Sequence, residues 1–96
     1  MESTVILRQK RRREDTPQRI ASILEVLVRE LIDEGETCEV KITMAGNLLL
    51  IEAFPGGARA AGQLIGKHGR TIAALRTLAT AMCAKYGWRA QLEIVA

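Results

Sequence analysis

The segment with the least freedom in this chain is Gly66-Lys67-His68-Gly69, because it interrupts a stretch that otherwise reads as helix on both sides. Residues 58–65 are short and rich in helix formers, and residues 70–86 carry Ile72, Leu75, Leu78, Ala79 and Met82 along one helical face. Two helices joined by so few residues must turn sharply, and such turns use left-handed backbone angles that glycine adopts without a Cβ penalty. Any fold of this chain must therefore hold a tight helix–helix joint with bare backbone at its corner.

The rest of the pattern limits what can surround that joint. Thr16-Pro17 reads as an N-cap followed by Pro at the first helical position, and Ile20, Ile23, Leu24, Leu27, Val28 and Leu31 then recur at helical spacing up to a stop at Gly35. In residues 37–44 the period changes to two, with Cys38, Val40, Ile42 and Met44 alternating with Glu39, Lys41 and Thr43. Gly46-Asn47 offers a tight turn into a second strand over residues 48–54, which Pro55-Gly56-Gly57 ends. After the second helical stretch Gly87 closes, and residues 88–95 alternate again with Ala90, Leu92 and Ile94 inward. The order is αββααβ. It predicts an α+β domain in which one face of a three-stranded sheet packs on three helices and Glu39, Lys41, Gln91 and Glu93 face solvent.

At 96 residues, 48% hydrophobic and 26% charged, the chain has room for one core and little for a deep catalytic cleft beside it. An enzyme is not expected. Residues 1–15 carry five basic groups and three acids without sustained periodicity, and read as a basic mobile tail ahead of a single domain over residues 16–96. Residues 16–57 carry three basic groups against seven acids, and residues 58–96 six against one, so positive charge gathers around the glycine joint. Cys38 and Cys83 lie in apolar-patterned stretches with no CxxC spacing, which reads as buried thiols in a reducing compartment. No apolar run reaches the roughly 18 residues a membrane span needs, and Val5-Ile6-Leu7 is too short for a signal peptide. A cytoplasmic protein with no membrane contact is expected.

Glycines at the corner also admit a ligand close to the backbone, while the next helix offers free N–H groups and the positive end of its dipole, flanked by Lys67 and Arg70. Such a corner attracts phosphate. It is not a nucleotide-hydrolysing P-loop: only three residues separate Gly62 from Gly66-Lys67, and His68 replaces the magnesium-binding hydroxyl. His68 is also the only histidine, with no nucleophile or orienting acid near it in sequence, so neither catalysis nor a metal site is expected to rest on it.

Taken with its flanks, the run from Gly62-Gln63-Leu64-Ile65 through Gly66-Lys67-His68-Gly69 to Arg70-Thr71-Ile72-Ala73-Ala74-Leu75-Arg76-Thr77-Leu78 resembles the core of a KH RNA-binding domain. With αββ on its N-terminal side, the order is similar to the type II form, and in particular to the small bacterial single-domain KH proteins of the KhpA group. The resemblance covers residues 17–95, and the basic tail departs from it. It implies that Gly66, Lys67, His68 and Gly69 hold the backbone of a single-stranded RNA, with Ile65 and Ile72 as the apolar positions beside the loop and the bases splayed over an adjacent aliphatic groove between the second helix and a strand. Arg70 and Arg76 would extend the positive field. It further implies a small RNA chaperone or post-transcriptional regulator without cofactor or small-molecule substrate, acting as a homodimer or paired with a second, larger KH protein.

With only Phe54, Tyr86 and Trp88 as aromatics, a base-stacking platform of the RRM or OB type is disfavoured. Two alternatives stay open. A DNA-binding helix-turn-helix would need base-reading Arg, Asn or Gln on its second helix, where this chain has Ala73, Ala74, Thr77 and Ala81. An assembly module would use that small-residue face for self-association, with RNA binding incidental.

Overall fold

A computed structural model describes residues 16–96; residues 1–15, expected to be a basic mobile tail, lie outside them. Helix α1 (Thr16–Leu31) leads into strands β1 (Cys38–Ala45) and β2 (Leu48–Pro55), helix α2 (Ala58–Ile65), a single 3₁₀ turn at Lys67–Gly69, helix α3 (Arg70–Ala84) and strand β3 (Arg89–Ile94). The αββααβ order and the α+β class are those the periodicities predict. The sheet runs β1-β2-β3, with β1 antiparallel and β3 parallel to the central β2, so among the described residues β1 and β3 are its two edges.

Alternation places Leu49, Ile51 and Ala53 of β2 beneath the helices with Val40 and Leu92, where they meet Ile20, Leu24 and Val28 of α1, Leu64 of α2, and Ile72, Leu75, Ala79 and Cys83 of α3. Each fully buried Leu or Ile contributes about 1.5–3 kcal/mol of transfer free energy, which identifies the sheet–helix seam as the main source of stability. The opposite sheet face stays open, with Glu39, Lys41, Gln91 and Glu93 exposed as expected and Lys41 Nζ lying 5.3 Å from the Phe54 ring centre. Burial holds both cysteine thiols above their ordinary pKa, so they remain protonated at neutral pH.

Several expectations need correction. Period places Met44 and Leu78 inward, yet both are exposed, because no described element covers the end of β1 at Met44 or α3 at Leu78. Helix α1 ends at Leu31, and Gly35 (φ +90°) lies beyond it in the following turn. The acids after α1 are also more than a solvated edge. Glu36 accepts the Ala60 N–H (3.1 Å) in the first turn of α2, where Gly57 supplies no side-chain cap. Asp33 takes Arg59 at 2.6 Å while its own N–H donates to Gln63. The Gln63 amide and the Arg59 guanidinium hold the Asp33 carboxyl below its usual range. A lowered carboxyl favours the fold above the ordinary carboxylate pKa, so this clamp is intact at neutral pH and is lost only as pH falls through the lowered value. Its effect is to fix the start of α2, and through α2 the glycine joint.

Candidate nucleic-acid interface

The joint is built from three backbone conformations, at Gly66, His68 and Gly69, that ordinary residues avoid. Gly66 lies at φ 77°, ψ 170°, a region essentially reserved for glycine, and its N–H still reaches the Gly62 carbonyl (2.9 Å) to finish α2. A Cβ there would meet the Thr71 side chain and come within 2.9 Å of the Thr71 nitrogen, so α3 begins pressed against this glycine. His68 (φ 57°) and Gly69 (φ 71°) are both left-handed; His, like Asn and Asp, is among the side chains that tolerate this region best. The Gly69 N–H closes back on the Gly66 carbonyl (3.1 Å), which makes the loop one compact turn.

That turn displays what the sequence suggested. Ile65, Lys67, His68 and Arg70 are exposed, and Gly66 and Gly69 are half-buried. Among the described residues neither Lys67, His68 nor Arg70 is committed to an ion pair; the two pairs present join Arg59 to Asp33 and Arg76 to Glu93. Helix α3 starts at a left-handed Gly69 with no side-chain cap and no acid in its first turn, and the Gly66 and Lys67 carbonyls take the N–H groups of Gly69 and Arg70, so its start offers the positive end of the helix dipole next to these cations. The arrangement suits an anion drawn to the start of the helix and ringed by unpaired positive charge.

The other two predicted positions are placed differently. Ile72 is only 8% exposed and belongs to the core, where it supports the loop from beneath rather than walling an open groove. Arg76 leaves the outer face of α3 and reaches the edge of the sheet, its Nε donating to the Leu92 carbonyl (3.1 Å) with an Nη 3.8 Å from Glu93. Beside it runs a groove of about 230 Å³ between α3 and β3, lined by Ala79, Thr80, Ala90, Gln91, Leu92 and Glu93 as well as the arginine. A groove between the second helix and a strand is what the sequence leads one to expect beside the loop, and the parallel β2–β3 pairing identifies that strand as β3. Tyr86 and Trp88 pack together at the far end of α3, ring centres 5.3 Å apart and half-buried against the core, as rim residues. No group of three or more metal-ligating side chains occurs among the described residues.

Comparison with known proteins agrees with this geometry. The model of the family described as "KhpA/KhpB, KH domain" matches residues 21–94, which include both strands and both helices that frame the loop. The chain is 36% identical over 76 residues to the RNA-binding protein KhpA of Aquifex aeolicus, covering 79% of this chain and 95% of that one. It is 32% identical to the KhpA protein of Chlamydia trachomatis (75% and 91% covered) and 30% identical to that of Borreliella burgdorferi (76% and 88%). No solved structure matches it. With the αββααβ order, the GxxG joint and a family match running from α1 to the end of β3, the chain belongs to the KhpA/KhpB family of KH-domain proteins.

Proposed function

We propose that this protein binds single-stranded RNA without catalysis, gripping the sugar-phosphate backbone at Gly66-Lys67-His68-Gly69 and the start of α3. The observation that carries the reading is the exposed, uncapped corner at which Lys67, His68 and Arg70 stand free of ion pairs. Relatives that the chain spans almost entirely carry the name RNA-binding protein, which supports the same choice. Against a helix-turn-helix reader, the outer face of α3 presents Ala73, Thr77 and Ala81, none of which offers the bidentate groups that distinguish base pairs. The expected role is an RNA chaperone or post-transcriptional regulator in the cytoplasm, with residues 1–15 contributing nonspecific positive charge.

A titration of salt tests this. Single-stranded RNA should bind more tightly than duplex DNA of equal length, with log affinity falling against log salt at roughly −0.7 per phosphate neutralised. Duplex DNA binding the tighter, or a slope of zero, contradicts the reading.

Self-association belongs to the same proposal. Ala73, Thr77 and Ala81 form an exposed stripe on α3 instead of packing on α1, and Leu78, 47% exposed, lies beside them. Small side chains let a second copy's helix approach closely, and a two-fold pair would set two GxxG corners on one particle and raise avidity for a longer RNA. The same face would serve a larger KH partner. Sedimentation at micromolar concentration should give a dimer for the wild type and a folded monomer for Ala73→Glu; a monomeric wild type, or a dimeric folded variant, rules out this face.

A further inference from the structure

We propose that the basic segment at residues 1–15 docks into an acidic groove of its own domain, between α1 and the edge of β1. The groove encloses about 630 Å³ where the second half of α1 passes the start of β1. Ile32, Cys38 and Phe54, all half-buried, form its apolar floor, and its rim carries Glu25, Glu36 and Glu39 against one cation, Arg29. Glu36 is engaged with the Ala60 N–H, but among the described residues Glu25, Glu39 and Arg29 form no ion pair. The excess extends along the chain, since residues 25–39 hold six acids and one base. Carboxylates gathered at the end of a helix repel one another and also oppose its dipole, so this end of the domain favours positive charge.

The form of the groove selects a peptide as the carrier of that charge. No group of three or more metal-ligating side chains occurs among the described residues, so the carboxylates do not converge on an ion. A strand edge lies open beside them instead. The Thr37 carbonyl accepts the Gly56 N–H (2.8 Å), so Thr37 and Glu39 turn their backbone groups toward β2, and Cys38 and Val40 turn theirs to the free side. An extended basic segment would find backbone partners there, an apolar floor and a carboxylate rim.

This chain carries such a segment within reach. Arg8 to Arg13 contains five basic groups and no acid, and Val5-Ile6-Leu7 precedes it. Helix α1 begins at Thr16 and rises about 1.5 Å per residue, which puts Glu25 about 14 Å and Val28 about 18 Å along it. An extended chain covers about 3.3 Å per residue, so running back beside α1 brings Lys10 about 20 Å from Thr16 and Val5 about 36 Å. The basic run then lies along the carboxylate rim and the apolar triplet can reach the floor. A short tether also supplies an effective concentration of order millimolar, which favours the chain's own segment over that of a second copy. Leu31, next to Glu30, shares an apolar groove with Arg70, so the acids leaving α1 stand near the glycine corner. Docking neutralises them and lessens their repulsion of any anion held there.

Carbodiimide cross-linking of the full chain tests the assignment, because it joins Lys10, the only lysine ahead of α1, directly to a carboxylate in contact with it. Peptide mapping should find Lys10 linked to Glu25 or Glu39 within one molecule. Lys10 linked only to Glu2, Glu14 or Asp15, or not linked at all, overturns the proposal. In a mixture of nitrogen-15-labelled and unlabelled protein, links that join heavy to light peptides would give the groove to a second copy's segment and overturn the intramolecular assignment. Amide spectra of the full chain supply a second readout. Glu25→Gln combined with Glu39→Gln, both exposed and free of ion pairs among the described residues, should shift the signals of residues 8–13, while Glu93→Gln on β3 should leave them in place. Signals that ignore the groove variant, or move equally in both, overturn the docking. None of these outcomes depends on RNA, so failure here leaves the RNA-binding reading standing.

Discussion

Replacing Lys67 and His68 together by aspartate is expected to lower affinity for single-stranded RNA by roughly a hundredfold while leaving the melting curve where it was. Two cations that would face phosphate become two anions, and charge-assisted hydrogen bonds contribute about 1.5–3 kcal/mol each before repulsion is counted. Both side chains are exposed and neither makes an ion pair among the described residues, so the folded domain loses nothing with them. Aspartate also tolerates the left-handed conformation at position 68, and stability should hold to within about 0.5 kcal/mol. Fluorescence anisotropy with a labelled RNA reads the affinity and circular dichroism reads the melt. An unchanged affinity with an unchanged melt would place the RNA contact elsewhere on the protein.

Gly66→Ala should act in the opposite way, on the fold first. The backbone conformation at φ 77°, ψ 170° costs a non-glycine residue about 1–3 kcal/mol, and the added methyl would meet both the Thr71 side chain and the backbone nitrogen that follows it into α3. Side chains can rotate away, but the nitrogen moves only with the helix. A loss of about 3 kcal/mol or more is expected, a large share of what a domain of this size possesses. Gly62→Ala is the control: that glycine sits inside α2 with nothing within 4 Å of its would-be Cβ, and alanine there should stabilise by about 0.5–1 kcal/mol. Thermal melts of the two variants shifting in the same direction would contradict the geometry of the joint.

Much of this could be read before any coordinates, for a physical reason. A change of apolar period from 3.6 to 2 is written locally, so α1, the β1–β2 hairpin at Gly46-Asn47 and the break at Gly66 follow from residues close in sequence. What escaped depends on which surfaces meet. Leu78 has helical spacing with Leu75 and Met82, but only three dimensions show that it stands exposed among the described residues. Asp33 and Glu36 look like stray acids after a helix until α2 is seen to begin beside them, with Arg59 and the Ala60 N–H as partners. Arg76 reads as one more surface cation, and its attachment to Leu92, sixteen residues away, is a consequence of the α3–β3 packing. Ile72 matched the expected position beside the loop, yet its side chain completes the core. Local chemistry marks the glycine corner and calls for a groove beside it, while topology decides which strand walls that groove.

The central claim is that RNA is held at the corner between α2 and α3, and the backbone amides of that corner report on it directly. In a nitrogen-15-labelled sample titrated with single-stranded RNA, the N–H signals of Lys67, His68, Gly69 and Thr71 should move most, followed by those of Leu92 and Ala90 on the open edge of β3. Signals from β1 and from the acidic turn at Asp33 to Glu36 should stay in place, since that side carries the wrong charge and already binds α2. Shifts concentrated on the open sheet face or on residues 1–15, with the glycine corner unmoved, would contradict the account.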